Sequence, residues 1–445
     1  MNPAAYNLDY LDKTYLHPVG ALVILLLVLL VLVGNRRWAM GAWLLGATTV
    51  SIAQRVAIGG LDLHVLRICI LVGWIRVFLR GEIRQFQFKP MDLVILLWFF
   101  AGTFVIFLLH EEARVLVTKA GRALDILGMY FLTRVLIRDR EDFDWFLRLA
   151  MWISIPMAFC FLYERMTGHN LFSALGGVSI RTPIRDGRLR CMGPFVHPII
   201  AGIFWAGFFP LFGAQWFRGG PGGRMLATCA MVSVLVIVVA SNSSTPVAGI
   251  LVSFAGASLW FVRRHLRWVR WGVVVVLAAL HFISSQPVWH LLARVDLSGS
   301  STGWHRFRLI DACIAHFSEW WLLGVRATGP WGKGLADITN QYVLEAVTGG
   351  LWALALFLLL LVVGFRGIGR MLRNHEGDRD QLILAWGLGV ALLVHTFNFL
   401  AISYFGQMIF EWFFLLAVIG SLTPVAVPDE EAESPYFRVG PGSVA

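Results

Sequence analysis

Charge-free apolar stretches recur along this chain at the length a lipid bilayer demands. Crossing a ~30 Å hydrocarbon layer takes about 20 helical residues. Residues 14–35, 93–110, 191–217, 271–293 and 346–365 run that far, or nearly so, without an Asp, Glu, Lys or Arg. The charge-free run at 225–262 is too long for one span. It contains Ser241-Asn242-Ser243-Ser244-Thr245-Pro246, whose turn-forming residues predict a tight helical hairpin. Residues 382–427 divide in the same way around Ile402-Ser403-Tyr404-Phe405-Gly406. With weaker spans near 38–54, 61–79, 121–137 and 145–163, the expected total is about thirteen. The expected fold is therefore all-α, a polytopic membrane protein of about 12–13 transmembrane helices with a large outer loop.

Composition supports this. Of the residues, 58% are apolar and only 14% are charged, where soluble domains carry about 25% charge. A net charge of +10 would suggest nucleic-acid binding in a soluble protein, but here the basic residues gather between apolar segments and nucleic acid is not expected. Alternate gaps hold Arg36/Arg37, Arg76/Arg80/Arg84/Lys89, Arg134/Arg138/Arg140/Arg148, Arg218/Arg224, Arg263/Arg264/Arg267/Arg270 and Arg366/Arg370/Arg373/Arg379. The short gaps around Asn242 and Tyr404 hold neither Lys nor Arg. The positive-inside rule then places the first set in the cytoplasm and the N-terminus outside. This divides the chain into an outer segment 1–16, a membrane domain 17–422 and a cytoplasmic tail 423–445 containing Asp429, Glu430, Glu431 and Glu433. The first apolar run lacks a cleavage pattern and reads as a span rather than a signal peptide. Cys69, Cys160, Cys191, Cys229 and Cys313 lack metal-ligand spacing, so neither a disulfide framework nor a zinc site is expected.

Two outer segments, about 164–190 and 286–350, are far longer than a helix connection requires. Such loops are where function concentrates. The first ends in Arg181, Arg185, Arg188 and Arg190. Guanidinium groups pair bidentately with phosphate oxygens, so this cluster suits a pyrophosphate. The bland alternative is a solvated basic loop touching lipid headgroups. Arg190-Cys191-Met192-Gly193-Pro194-Phe195-Val196-His197-Pro198 keeps the backbone irregular at the membrane entrance. There His197 is either a proton carrier or, more simply, a helix-entry residue bonded to backbone.

In the second loop, apolar positions Trp304, Phe307, Ile310, Ile314 and Phe317 recur at helical intervals, predicting an amphipathic helix lying on the membrane. Arg306 and Arg308 are two apart, so only one can face a shared site. Further on, Asp337 or Thr339 is the expected N-cap of the helix leading through Asn340, Gln341 and Tyr342 into Gly349-Gly350.

The order of an Arg-x-x-Gly-Pro-Phe-x-x-Pro element (Arg190 to Pro198), a Ser-rich hairpin (Ser241 to Thr245), an Arg-aromatic helix before Leu322-Leu323-Gly324-Val325, and Asn340-x-Tyr342-x-Leu344 with Gly350-Leu351 beyond resembles the O-antigen ligase/polymerase superfamily. The resemblance covers roughly residues 20 to 420. It implies glycan transfer from a polyprenyl-diphosphate-linked saccharide to a saccharide acceptor at the outer face of the bacterial inner membrane. Membrane lipids and other polysaccharide assembly proteins would then be partners.

Thr339 stands where the ligases carry a His proposed to deprotonate the acceptor, and threonine is no base near neutral pH. The hairpin also lacks the arginine often found after its serine. The motif Asp337-x-Thr339-Asn340-Gln341-Tyr342 looks more like the polymerase branch.

Transfer requires cations for the leaving diphosphate, a proton acceptor and a route for the lipid tail. Arg190 and Arg306, with Arg181, Arg185, Arg188 and Arg308 in support, meet the first requirement. Asp337 meets the second, with His305, Glu319 and Glu345 as alternatives. Asn340 belongs to the catalytic set, and His305, Gln341 and Tyr342 to the substrate-binding set. No Asp-x-Asp or His/Cys cluster marks the outer loops, so no metal or other cofactor is expected. The competing readings are ligase-type transfer to a lipid or protein acceptor, and a non-enzymatic transporter or scaffold for lipid-linked glycans.

Overall fold

The computed structural model describes residues 13–109, 113–284, 286–293 and 302–424. The acidic tail, residues 1–12 of the outer N-terminal segment and residues 294–301 of the large loop lie outside them. Helices dominate: α1 (Pro18–Val33), α2 (Arg36–Thr49), α3 (Val65–Leu79), α4 (Pro90–Leu109), α5 (Ala113–Ala123), α6 (Met129–Leu136), α7 (Arg140–Thr167), α8 (Pro198–Arg218), α9 (Pro221–Ala240), α10 (Ser244–Ser258), α11 (Leu266–Ile283), α12 (Thr302–Ala315), α13 (Phe317–Trp320), α14 (Gln341–Asn374), α15 (Arg379–Asn398) and α16 (Gln407–Leu422). Their starts follow local chemistry. Proline occupies the first turn of α1, α8 and α9, where its missing N–H costs nothing. Asn35, Asp139 and Asp378 cap α2, α7 and α15 through their side-chain oxygens. Two small hairpins, β1 (Arg55–Ile58) with β2 (Leu61–His64) and β3 (Ile184–Arg185) with β4 (Arg188–Leu189), are antiparallel.

Among the described residues, seven helical rods are long and apolar enough to cross a membrane: α4, α7, α8, α9, the rod from Ser244 to Ile283, α14 and α15. The expected thirteen spans thus differ from the observed helices in length. At 1.5 Å per residue, the 14–16 residues of α1, α2, α3 and α16 reach about 21–24 Å, short of the ~30 Å layer. The weak span near 121–137 is broken by a π-helical stretch at Leu124–Gly128. The serine hairpin forms as expected, with α9 ending at Ala240 and α10 starting at Ser244. The span expected at 271–293 forms as α11, set off from α10 by a kinked 3-10 segment at Val262, but it starts earlier, at Leu266, and ends at Ile283.

Helix ends gather into two faces. At one, Arg36 and Arg37 reach Asp142, Arg140 reaches Asp380, Arg218 clasps Asp144, and Lys89 donates to the carbonyls of Ser421 and Thr423. At the other, Tyr15 bridges Arg55 and Ser51 donates to Gly177 O. There also Cys191 N donates to Ala240 O, and Gln407 donates to Pro194 O. The first face is the one expected in the cytoplasm and the second contains the long loops. An aromatic-rich core joins them, in which Phe146 lies 4.3 Å from Phe414 and Trp43 stacks on Phe414 at 5.8 Å.

α14 is not one rod. Gly350 sits at φ +67°, which breaks the helix, and the loop at Trp321-Leu322-Leu323-Gly324-Val325 fills the break. Leu351 N donates to Trp321 O at 2.9 Å and Val325 N to Val347 O at 2.7 Å, so backbone groups freed by the kink are satisfied. A Cβ at Gly350 would meet Leu322 O at 2.5 Å, and one at Gly324 would meet Val347 O at 2.5 Å. Both positions therefore require glycine.

Candidate functional site

The first long loop is built around a carboxylate that the sequence reading passed over. Glu164, near the end of α7, accepts from Met192 N, Gly193 N and the Thr182 hydroxyl at 3.0–3.1 Å. Asn170 holds Gly193 O at 2.7 Å. Gly193, at φ +54°, presses so close to Phe161 that a Cβ would lie 2.6 Å from the ring. These contacts lock the turn that carries Arg190, whose own N–H donates to Pro183 O.

Arg190 is half-buried, and its Nε has no partner among the described residues. Burial, reinforced by Arg185, pushes its guanidinium below the usual arginine range. Arg181, Arg185 and Arg188 are exposed on the strap outside it. His197 caps α8 by accepting from Ile199 N at 3.2 Å. Burial, with Arg190 nearby, lowers its pKa to about 4, leaving it neutral near pH 7. It is the helix-entry residue bonded to backbone.

Arg306 approaches from the other loop. It is 8% exposed and donates to Thr245 Oγ1 at 3.0 Å. Cys191 N, one residue after Arg190, bonds Ala240 O at 3.1 Å, so the backbone beside Arg190 and the Arg306 side chain meet opposite ends of one short serine hairpin. Arg308 turns away and lies over the Trp304 ring at 4.3 Å. The stripe buried by α12 is Arg306, Leu309 and Cys313, whereas Trp304, Ile314 and Phe317, assigned to the membrane-facing stripe, are exposed. That outward placement suits lipid contact, and the inward stripe includes a charge that periodicity counting ignored.

Asp337 is half-buried, and burial raises its carboxyl above the usual range. Among the described residues no hydrogen bond engages its carboxylate. His305 Nε2 sits 2.9 Å from Asp337 O, which fixes the two residues together. The expected cap is corrected: neither Asp337 nor Thr339 caps α14. Asn340 does, accepting from Val343 N at 3.1 Å and donating to Leu400 O at 3.3 Å, with only 1% exposure. The reason is register, since α14 begins at Gln341 and the residue before it takes the cap.

Gln341 accepts from Tyr404 N at 2.7 Å and donates to Glu345 at 2.7 Å, while Tyr342 donates to Thr396 O at 2.8 Å. These bonds tie α14 to α15 and to the loop between α15 and α16, which itself packs against the 194–197 segment. They give Asn340, Gln341 and Tyr342 positioning roles. Of the alternative bases, Glu319 is held by His316 and Trp331 at 2.7 and 2.8 Å, and Glu345 by Trp98 and Gln341 at 2.9 and 2.7 Å. His305 and Asp337 stay open to solvent chemistry.

A buried polar group also went unread in the sequence. His395 Nδ1 lies 2.7 Å from the Tyr404 hydroxyl, and polar atoms of Asn398, Gln407 and Glu411 beside it lack partners. Interspersed among aromatic residues, these side chains carried no spacing signal. No known protein-family profile matches the chain, and no curated protein matches it significantly.

Proposed function

We propose that the chain is a glycosyltransferase that uses a polyprenyl-diphosphate-linked saccharide at the outer face of a bacterial inner membrane, most simply to polymerise surface or exopolysaccharide repeat units. The observation that supports this reading is that the backbone following Arg190, through Cys191, and the Arg306 side chain meet opposite ends of the 241–245 hairpin, beside helices long and apolar enough to cross a membrane. In the proposed reaction the acceptor hydroxyl attacks the anomeric carbon as its proton passes to Asp337 Oδ. The bond from that carbon to the diphosphate oxygen breaks, and polyprenyl diphosphate leaves with its charge held by the two guanidinium groups. An α-linked donor gives a β-linked product by direct inversion. The reaction calls for no metal ion.

Purified protein incubated with a lipid-diphosphate oligosaccharide tests this directly. The expected result is release of polyprenyl diphosphate together with a lengthened glycan. Intact donor recovered after incubation with abundant folded protein would overturn the enzymatic reading.

A further inference from the structure

A cleft of about 80 Å³ lies between α4, α5, α14 and α16, and its lining includes none of Arg190, Arg306 or Asp337. Its depth follows from helix geometry. Glu345 is about 8 Å along α14 from Asn340, and Thr103 about 9 Å from the end of α4, at 1.5 Å per residue. The polar part of the cleft therefore lies in the outer third of the bundle, while Trp98 and Phe99, midway along α4, line its deeper end.

Its walls are aromatic, including Phe99, Phe357 and Phe413, yet Lys119 and Arg122 face into it from α5. Glu345 is already satisfied by Trp98 and Gln341. Asp125, three residues beyond Arg122 and otherwise its natural helical partner, is drawn off by Arg67, which grips it at 2.6 and 2.7 Å from the π-helical stretch. Among the described residues neither Lys119 nor Arg122 forms an ion pair or hydrogen bond. Thr103 Oγ1 and Trp412 Nε1, also in the lining, have no partner either, and Trp412 is 3% exposed.

Half-buried Lys119, exposed Arg122 and two further donors thus surround one apolar-walled cleft whose single lining carboxylate, Glu345, is near enough to attract both cations. Such a set exceeds what one carboxylate accepts and suits the several oxygens of a phosphate. We propose that this cleft binds the phosphorylated headgroup of a membrane lipid, with the lipid chain lying along the aromatic wall. This site is independent of glycan transfer.

Full-length protein in detergent, titrated with short-chain phosphatidic acid and read by native mass spectrometry, is the test. One phosphatidic acid should bind at least tenfold more tightly than phosphatidylcholine of equal chain length. The Lys119→Gln/Arg122→Gln double variant should lose that preference. Gly102→Leu keeps every charge, and its Cβ meets open space, so it fills the cleft without a clash and should weaken binding at least tenfold. Arg190→Lys should bind normally. Equal binding of phosphatidylcholine, full binding by Gly102→Leu, or loss of binding in Arg190→Lys would overturn the assignment. So would complete displacement by millimolar inorganic phosphate, which would mark a site for the free ion.

Discussion

Arginines at the two ends of the bundle occupy opposite electrostatic settings. At the end expected to face the cytoplasm Arg134 is held by Asp92 at 2.9 Å, with Tyr130 donating to the same carboxylate at 2.6 Å. Arg218 grips Asp144 through both terminal nitrogens, and Arg76 reaches Glu82 and two helix-end carbonyls. At the outer end Arg190 is also withdrawn from water, yet no carboxylate lies within ion-pair distance among the described residues, and its cationic neighbour Arg185 opposes it. A buried charge is costly unless paired. The arginines of the first end are thus explained by the fold alone, whereas half-buried Arg190 is favoured only at a distance, by Asp186, and is free to meet the proposed diphosphate.

The comparison fails at once if the two ends do not face opposite compartments. A cysteine replacing the exposed Lys333 should react with an impermeant thiol reagent in right-side-out vesicles, and one replacing the exposed Asn374 should not. Reversed labelling would invert the molecule.

Next in size are substitutions that separate structure from chemistry. Arg134→Met strands Asp92 in the core and should cost about 3–5 kcal/mol, seen as loss of folded protein. Arg190→Lys should leave the amount of folded protein unchanged and lower transfer about 10²-fold, because lysine lacks the planar fork. If Arg190→Lys instead depletes the protein, the contrast between the ends collapses.

Asp337→Asn should reduce turnover about 10²-fold without loss of stability, since the cap it might have supplied belongs to Asn340. As the proton acceptor, Asp337 works only when ionised. Its raised pKa places the acid limb of the rate profile above pH ~4, the ordinary aspartate value, with activity falling as pH drops through it. In the folding balance the sign is opposite: a raised carboxyl stabilises the fold when protonated and withdraws that stability as pH rises, while turnover increases. Full turnover in Asp337→Asn would remove it as the base and point to His305. The smallest effect expected is that of Asn340→Ala, which removes a cap worth about 1 kcal/mol and should shift unfolding while sparing most turnover.

Helices, hairpins and two-faced charge were legible in the sequence because they rest on local pattern. Apolar run length located α4, α8 and α14, and the serine cluster located the turn at Ser241. Contacts set by the third dimension were not legible. Glu164 reads as an ordinary helix-end acid until the chain doubles back to place Met192 and Gly193 over it. Arg306 sits on a stripe counted as polar until Thr245 meets it. The cap fell to Asn340 rather than Asp337 because one residue of register decides which side chain meets the first free amides.

The glycine break in α14 redraws the molecule's modules. By sequence the outer loop is expected to run to about Gly350, whereas the helix begins at Gln341. By hydrogen bonding, the first turns of α14 belong with the segment 321–325 that plugs the break. Anyone grafting this outer loop onto another scaffold should therefore cut at Gly350, carrying Glu345 along with the graft. A chimera joined at Asn340 would separate a plug from its socket.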